Sequence, residues 1–245
     1  MRDEAIPATD GTRDGDARGP IPARGPIPAR LRRGSPTLAG MSEKHHDPVT
    51  DLPDGVDADS ERPRVVIVHG YNGYPAKHWY PWLASELVGA GFPVTRVALP
   101  DPTRPDPGEW AAALAEQAST LDGAVVVAHS LGCITVLSHL EQHPEQRPHG
   151  LVLVAGFDAP VAALPELDAY IGDGVSTGDL LPRLGEVAVV MSDGDHIVPN
   201  ADTAAMAGRL GVEPIVVPGA KHFLYSDGVT EVPEVRDAAL RILST

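Results

Sequence analysis

A serine flanked by small residues follows a run of apolar residues near the middle of the chain. The run is Val125–Ala128, and His129-Ser130-Leu131-Gly132 comes directly after it. A buried strand that turns sharply into a helix holds a serine hydroxyl exposed, and it needs small residues nearby because the two backbones pass close together. Ala128 stands where this motif usually has glycine. The segment predicts that Ser130 is a nucleophile, and the alternative is that its hydroxyl only caps the helix.

Two later loops contain the groups that could activate such a serine. His222 follows the last predicted strand and could take the proton of the serine hydroxyl. Asp195 follows the preceding strand and could hold the imidazole ring in the required tautomer. Two other carboxylates are candidates for this acid: Asp193, which could instead shape the turn, and Asp158, which follows an earlier strand.

The Gly-rich loop His69-Gly70-Tyr71-Asn72-Gly73 follows the first predicted strand. Acyl transfer needs two N–H donors at the developing oxyanion, one from the residue after the nucleophile and one from a loop of this kind. We therefore expect the backbone amides of Leu131 and Tyr71 to form the oxyanion hole, with Asn72 as a neighbouring alternative. The alternative interpretation is that this loop merely joins a strand to a helix and has no catalytic role.

The aromatic residues after this loop predict one wall of a substrate pocket. We expect Tyr71, Tyr74, His78 and Trp79 to line it, together with residues of Phe157–Leu181. The aromatic residues at positions 79–82 are equally compatible with a place in the hydrophobic core.

Short apolar runs alternate with longer amphipathic segments from Arg64 onward. The predicted strands are Val65–Val68, Pro93–Leu99, Val125–Ala128, Leu151–Ala155, Val187–Met191 and Glu213–Val217. The predicted helices are Trp79–Gly89, Glu109–Leu121, Leu131 to about Gln142, Ala201–Leu210 and Pro233–Leu243. Strands joined by crossover helices predict an α/β fold with a parallel, doubly wound sheet, whose active site lies at the carboxyl ends of the strands.

The first part of the chain has a different composition. Residues 1–62 are rich in Pro, Gly, Asp and Arg, and Arg-Gly-Pro-Ile-Pro-Ala occurs twice in tandem at Arg18–Ala29. We predict a disordered, low-complexity extension over 1–62 and a hydrolytic domain over 63–245. Met41 could be an alternative start of translation. His45 and His46 resemble a metal-ligand pair, but we expect them to be solvated in this extension.

The amino-acid composition limits the classes of partner that the protein is expected to bind. The formal net charge of −15 argues against nucleic acid, which needs clustered Lys and Arg. No apolar run is long enough for a membrane helix, so no membrane partner is expected. The N-terminus has no stretch of signal-peptide type, and the single cysteine, Cys133, fits a reducing compartment, so we expect a cytoplasmic protein. We expect a small-molecule substrate, with no metal and no cofactor.

The chain from about Arg64 to Ile242 resembles the small serine hydrolases of the YdeN and retinoblastoma-binding-protein-nine type. The matching segments are His69–Gly73, His78–Trp82, Leu99–Pro102, His129–Gly132, Asp195–Pro199 and Gly219–Phe223. The resemblance implies an α/β-hydrolase fold without a large cap domain and a catalytic triad of Ser130, Asp195 and His222. The chain order of these three residues is also the order expected for that fold.

These observations predict a serine hydrolase that cleaves a small ester or amide through an acyl-enzyme on Ser130. Two alternatives use the same fold. The protein could transfer the acyl group to an acceptor other than water, or it could be a non-catalytic module that binds a partner through its acidic surface.

Overall fold

The computed structural model describes residues 47–55 and 63–245, which form a seven-stranded sheet flanked by helices. The strand order is β1-β3-β2-β4-β5-β6-β7; β1 is antiparallel to β3, and every other neighbouring pair is parallel. The strands are β1 (Val49–Asp51), β2 (Val65–Val68), β3 (Val94–Val97), β4 (Val125–His129), β5 (Gly150–Val154), β6 (Glu186–Ser192) and β7 (Ile215–Val217).

The described helices alternate with these strands. They are α1 (Tyr80–Gly89), α2 (Pro107–Ala118), α3 (Leu131–Gln142), α4 (Asp168–Ile171), α5 (Thr177–Leu180), α6 (Asn200–Arg209) and α7 (Pro233–Leu243). Short 3₁₀ segments lie at Pro165–Leu167, Leu181–Arg183 and Tyr225–Asp227. None of the helices in the described ranges is both long and apolar enough to cross a membrane.

The core has two parts, one on each face of the sheet. Successive residues of β2 and β4 alternate between them, because side chains of a strand point to opposite faces. Helices α2, α3 and α6 pack on one face, and α1 and α7 pack on the other. Strands β2, β4 and β5 are buried along their whole length, which explains their unbroken apolar sequences. The predicted doubly wound α/β-hydrolase fold is confirmed.

The predicted elements are present, with small changes at their ends. Helix α2 begins at Pro107, two residues before the predicted start, because the Asp106 carboxylate accepts from the amides of Gly108 and Glu109. Its last helical residue is Ala118, since Ser119 has a φ of 59°. Between β5 and β6 the chain forms only the short helices α4 and α5 and two 3₁₀ turns, so no large cap domain is inserted between these strands.

Strand β1 corrects the predicted domain boundary, because it lies within residues 1–62. It pairs with β3, and the Asp51 carboxylate binds the buried Arg96 guanidinium at 2.9 and 3.2 Å. The remaining residues predicted as an extension, 1–46 and 56–62, lie outside the described residues. They include the tandem repeat, Met41, His45 and His46.

Loss of the Asp51 carboxylate should destabilise the protein. Asp51→Ala leaves a buried guanidinium without its ionic partner, so we expect the free energy of unfolding in urea to fall by about 1–2 kcal/mol. Asp54→Ala is the control, because Asp54 is an exposed carboxylate close to the same strand. Equal stability of the two variants would show that the ion pair between Asp51 and Arg96 contributes nothing to the stability of the fold.

Candidate active site

The turn between β4 and α3 places Ser130 in an unusual backbone conformation, with φ 54° and ψ −125°. Two glycines allow this turn to form. A β-carbon on Gly132 would lie 2.6 Å from the His69 carbonyl oxygen, and one on Gly70 would lie 2.7 Å from the His129 carbonyl oxygen. The backbones of the two segments are therefore too close together for any side chain there. The sequence pattern of small residues around the serine has this physical cause.

Ser130 and Asp195 bind opposite nitrogens of the His222 ring. The Nε2 atom lies 3.0 Å from Ser130 Oγ, and the Nδ1 atom lies 2.7 Å from Asp195 Oδ2. In the neutral ring, Nδ1–H therefore donates to the carboxylate and Nε2 accepts from the serine hydroxyl. The serine hydroxyl makes no capping bond to helix α3, so the capping alternative for Ser130 is wrong.

The alternative acids have other partners. Asp193 Oδ1 accepts from the Gly219 amide at 2.7 Å. The side chain of Asp158 is buried and binds the Arg209 guanidinium and the Thr177 hydroxyl. Asp195 Oδ1 accepts from the amides of Ile197 and Val198 at 2.9 and 3.0 Å, which fixes the carboxylate beside the ring. Among the three carboxylates considered, Asp195 is the one that contacts His222.

The loop containing His222 is held from several directions. The Asp227 carboxylate accepts from the backbone amides of His222 and Leu224, each at 3.2 Å. Asp193 holds Gly219 near the start of the loop. Lys221 and Phe223, on either side of the histidine, both have positive φ, of 51° and 59°. These contacts fix the direction in which His222 leaves the backbone.

His129 is a site residue that sequence reasoning missed. Its Nε2–H donates to the His222 carbonyl oxygen at 3.0 Å, and its Nδ1 accepts from the Tyr80 hydroxyl at 2.8 Å. Trp79 and His78 pack edge-on against the same ring. His129 therefore links helix α1 to the loop of His222 and lies directly before Ser130 in the chain. The sequence shows a histidine directly before Ser130, but it does not show the partners of that histidine, because they are distant along the chain.

The two histidines beside His222 are neutral at pH 7. Burial holds the pKa of His129 well below its usual value, and the nearby His222 and His78 act in the same direction. Burial also lowers the pKa of His78 to about 4, with help from Lys77. A proton gained by His222 is therefore not opposed by charge on these neighbours.

The loop after β2 lies against the turn that carries Ser130, which is the arrangement expected of an oxyanion hole. Gly70, the residue before Tyr71, packs directly against the Leu131 amide, because a β-carbon on Gly70 would lie only 3.3 Å from the Leu131 nitrogen. The Asn72 amide donates to the Pro102 carbonyl oxygen at 2.7 Å, which removes Asn72 as the alternative. Within the described residues, the amides of Tyr71 and Leu131 have no backbone acceptor and remain available.

A cavity of about 500 Å³ opens at the serine. Ser130, His222, His129, Tyr71 and His78 line it, together with Asn72, Lys77, Leu164, Glu166, Leu167, Ile197, Leu224, Tyr225 and Ser226. No set of three or more His, Cys, Asp or Glu side chains in the described part of the chain is placed to hold a metal ion.

Two of the predicted pocket residues do not line this cavity. Trp79 is 0% exposed and packs in the core under α1, so its expected role in substrate binding is wrong. Tyr74 is also outside the cavity, and its ring lies under the Lys77 ammonium, 5.5 Å from the ring centre. Both errors arise because the spacing of aromatic residues indicates that they are buried or clustered, but not whether they face the cavity.

Comparison with known proteins decides the family. A family model described as serine hydrolase matches residues 65–240. The protein YdeN of Bacillus subtilis (strain 168) is 32% identical over 177 residues, which are 71% of this chain and 93% of that protein. The chain belongs to the serine hydrolase family.

Solved structures agree with this assignment. The crystal structure of YdeN from B. subtilis superposes on the hydrolase with a TM-score of 0.70 at 29% identity, covering 75% of this chain and all of that one. Est1E of Butyrivibrio proteoclasticus, solved with ferulic acid, has a TM-score of 0.59 at 17% identity and covers 81% of this chain and 96% of its own. The second likeness shows the fold alone.

Removal of the His129 contacts should slow the reaction of Ser130 of the hydrolase. His129→Phe keeps a ring but leaves the Tyr80 hydroxyl and the His222 carbonyl without this partner. We expect the rate of labelling by a fluorophosphonate to fall roughly tenfold or more, because the His222 loop loses a buried hydrogen bond.

The control is His139→Phe, which removes another buried histidine of the hydrolase, one that binds Gln146. It should lower stability without changing the labelling rate. Labelling of His129→Phe at the wild-type rate would show that His129 does not position His222.

Proposed function

We propose that the hydrolase cleaves a small carboxylic ester or amide through an acyl-enzyme on Ser130. The observation that carries the proposal is the hydrogen-bonded series Ser130–His222–Asp195, in which both ring nitrogens are engaged and the serine opens into a cavity. Membership of the serine hydrolase family supports the same reaction class.

In the first step, Ser130 Oγ attacks the carbonyl carbon of the substrate while His222 Nε2 takes its proton. The carbonyl π electrons move to oxygen, and the amides of Tyr71 and Leu131 stabilise the resulting oxyanion. Asp195 stabilises the imidazolium that forms. When the tetrahedral intermediate collapses, the bond to the leaving group breaks and His222 gives its proton to the leaving oxygen or nitrogen.

In the second step, water replaces the leaving group. His222 takes a proton from water, whose oxygen attacks the acyl carbon, and the same amides hold the second oxyanion. The Ser130 oxygen then leaves and recovers its proton from His222. The carboxylic acid is released and the enzyme returns to its initial state.

The turnover of p-nitrophenyl butyrate tests these assignments. We expect Ser130→Ala and Asp195→Asn each to lower kcat by roughly three to four orders of magnitude, because one removes the nucleophile and the other disrupts the tautomer of His222.

Asp193→Asn is the matched control, since the amide oxygen of Asn can still accept from the Gly219 amide. It should keep kcat within about tenfold of the wild type. A loss equal to that of Asp195→Asn would contradict the assignment of the acid. A folded wild type that turns over no ester and reacts with no fluorophosphonate would favour the non-catalytic binding module.

A further inference from the structure

The cavity has two chemically different walls, and the sheet topology separates them. Strand β4, which ends at the nucleophile, lies between β2 on one side and β5 and β6 on the other. The segments after β5 and β6 contribute Leu164, Leu167 and Ile197, and Leu224 comes from the loop of His222. The segment after β2 contributes Asn72, Lys77 and His78. The cavity therefore has an aliphatic wall, made of the first four side chains, and a polar wall, made of Asn72, Lys77 and His78. The two walls meet where the Tyr225 amide, next to Leu224, donates to His78.

Lys77 is a cation in the polar wall without an acidic partner. Its ammonium donates to the Asn72 carbonyl oxygen, next to the proposed oxyanion donor Tyr71. Within residues 47–55 and 63–245, no carboxylate lies within ion-pair distance of it, and the pKa of Lys77 is lowered by burial. The same ammonium lies over the Tyr74 ring, 5.5 Å from its centre. An ammonium has three N–H donors, so the bond to Asn72 and the contact with this ring leave donor capacity for a ligand.

His78 adds a second donor to the same wall. Its Nδ1 accepts from the Tyr225 backbone amide at 3.0 Å, so the neutral ring carries its proton on Nε2. Burial and the adjacent Lys77 keep the ring neutral at pH 7, since they lower the pKa of His78 to about 4. The Nε2–H group is therefore a fixed donor that does not change with pH near neutrality.

The carboxylates nearest this wall are already engaged or lie elsewhere. Asp227 accepts from the amides of His222 and Leu224, so its charge is used to hold that loop. Glu166 also lines the cavity, but it belongs to the segment of Leu164 and Leu167 and forms no ion pair with Lys77. The protein has a formal net charge of −15, yet a half-buried lysine with no carboxylate partner among the described residues lines this cavity. Lys77 therefore gives the cavity a positive charge that an anionic group could bind.

We propose that the substrate is an ester or amide with a carboxylate group, which Lys77 and His78 bind on the β2 side while its apolar part packs on the aliphatic wall. This inference rests on the proposed function, because it concerns the substrate of the same serine. Charge-assisted hydrogen bonds to a carboxylate are about twice as strong as neutral ones, so Lys77 would strongly favour such substrates.

Two pairs of substrates test the proposal, because the acyl and leaving parts of an ester extend in different directions. The first pair is p-nitrophenyl hexanoate and the mono-p-nitrophenyl ester of adipic acid, whose acyl chains have equal length and end in methyl or carboxylate. The second pair is phenyl acetate and para-acetoxybenzoate, which differ by a carboxylate on the leaving group. The measured quantity is the ratio of kcat/KM for the anionic substrate to kcat/KM for the neutral one.

Lys77→Met should lower this ratio about tenfold to a hundredfold for at least one pair, while Lys77→Arg should retain most of it. Arg147→Met is the control for overall charge, because Arg147 is exposed and lies just before β5, at the other end of the strands from Ser130. It removes the same formal charge and should leave both ratios within about twofold of the wild type.

The outcomes separate this inference from the proposed function. Wild-type turnover of the neutral esters that depends on Ser130 supports the function by itself. If that turnover is present but Lys77→Met leaves both ratios unchanged, or changes them no more than Arg147→Met does, the carboxylate proposal is overturned and the function stands. A folded protein that turns over none of the four esters would overturn the carboxylate proposal, and one that also fails to react with a fluorophosphonate would overturn the proposed function as well.

Discussion

The pair of hydrogen bonds on the His222 ring is the interaction on which the rest of the site depends. One bond reaches Ser130 at the end of β4 and the other reaches Asp195 after β6, so the imidazole connects groups carried by different strands. Their separation is fixed by the parallel register of the sheet, but the histidine itself comes from a loop after the short edge strand β7. The side chains of Asp193, Asp227 and His129 each form a hydrogen bond with the backbone of that loop. These three contacts come from different parts of the chain and together position His222.

The surroundings of the ring also determine its electrostatics. His78 and His129, which lie beside the ring, are neutral at pH 7 because burial depresses their pKa values, and the carboxylate of Asp195 is in direct contact with the ring. An imidazolium at His222 would therefore contact the Asp195 carboxylate and meet no positive charge from His78 or His129. Because these groups are already oriented before the substrate binds, little reorganisation is required when charge develops.

Much of this arrangement could be predicted from residue types at the ends of apolar runs. Ser130, Asp195 and His222 each follow a run that reads as a buried strand, and parallel strands bring their carboxyl ends to one edge. Strand β1 could not be predicted, since three residues have no periodicity and its ion pair joins Asp51 to Arg96, far along the chain. The place of Trp79 and the partners of His129 depend on how α1 packs against the sheet, which local sequence does not specify.

The central claim is that the contacts of His222 make Ser130 a reactive nucleophile. The most direct test is to treat the purified protein with a fluorophosphonate, digest it and locate the adduct by tandem mass spectrometry. We predict one stoichiometric adduct on Ser130, formed in the wild type and strongly reduced in His222→Ala, while Ser138, a serine on helix α3 outside the site, remains unmodified. An adduct on another residue, or equal labelling of Ser130 in His222→Ala, would contradict the account.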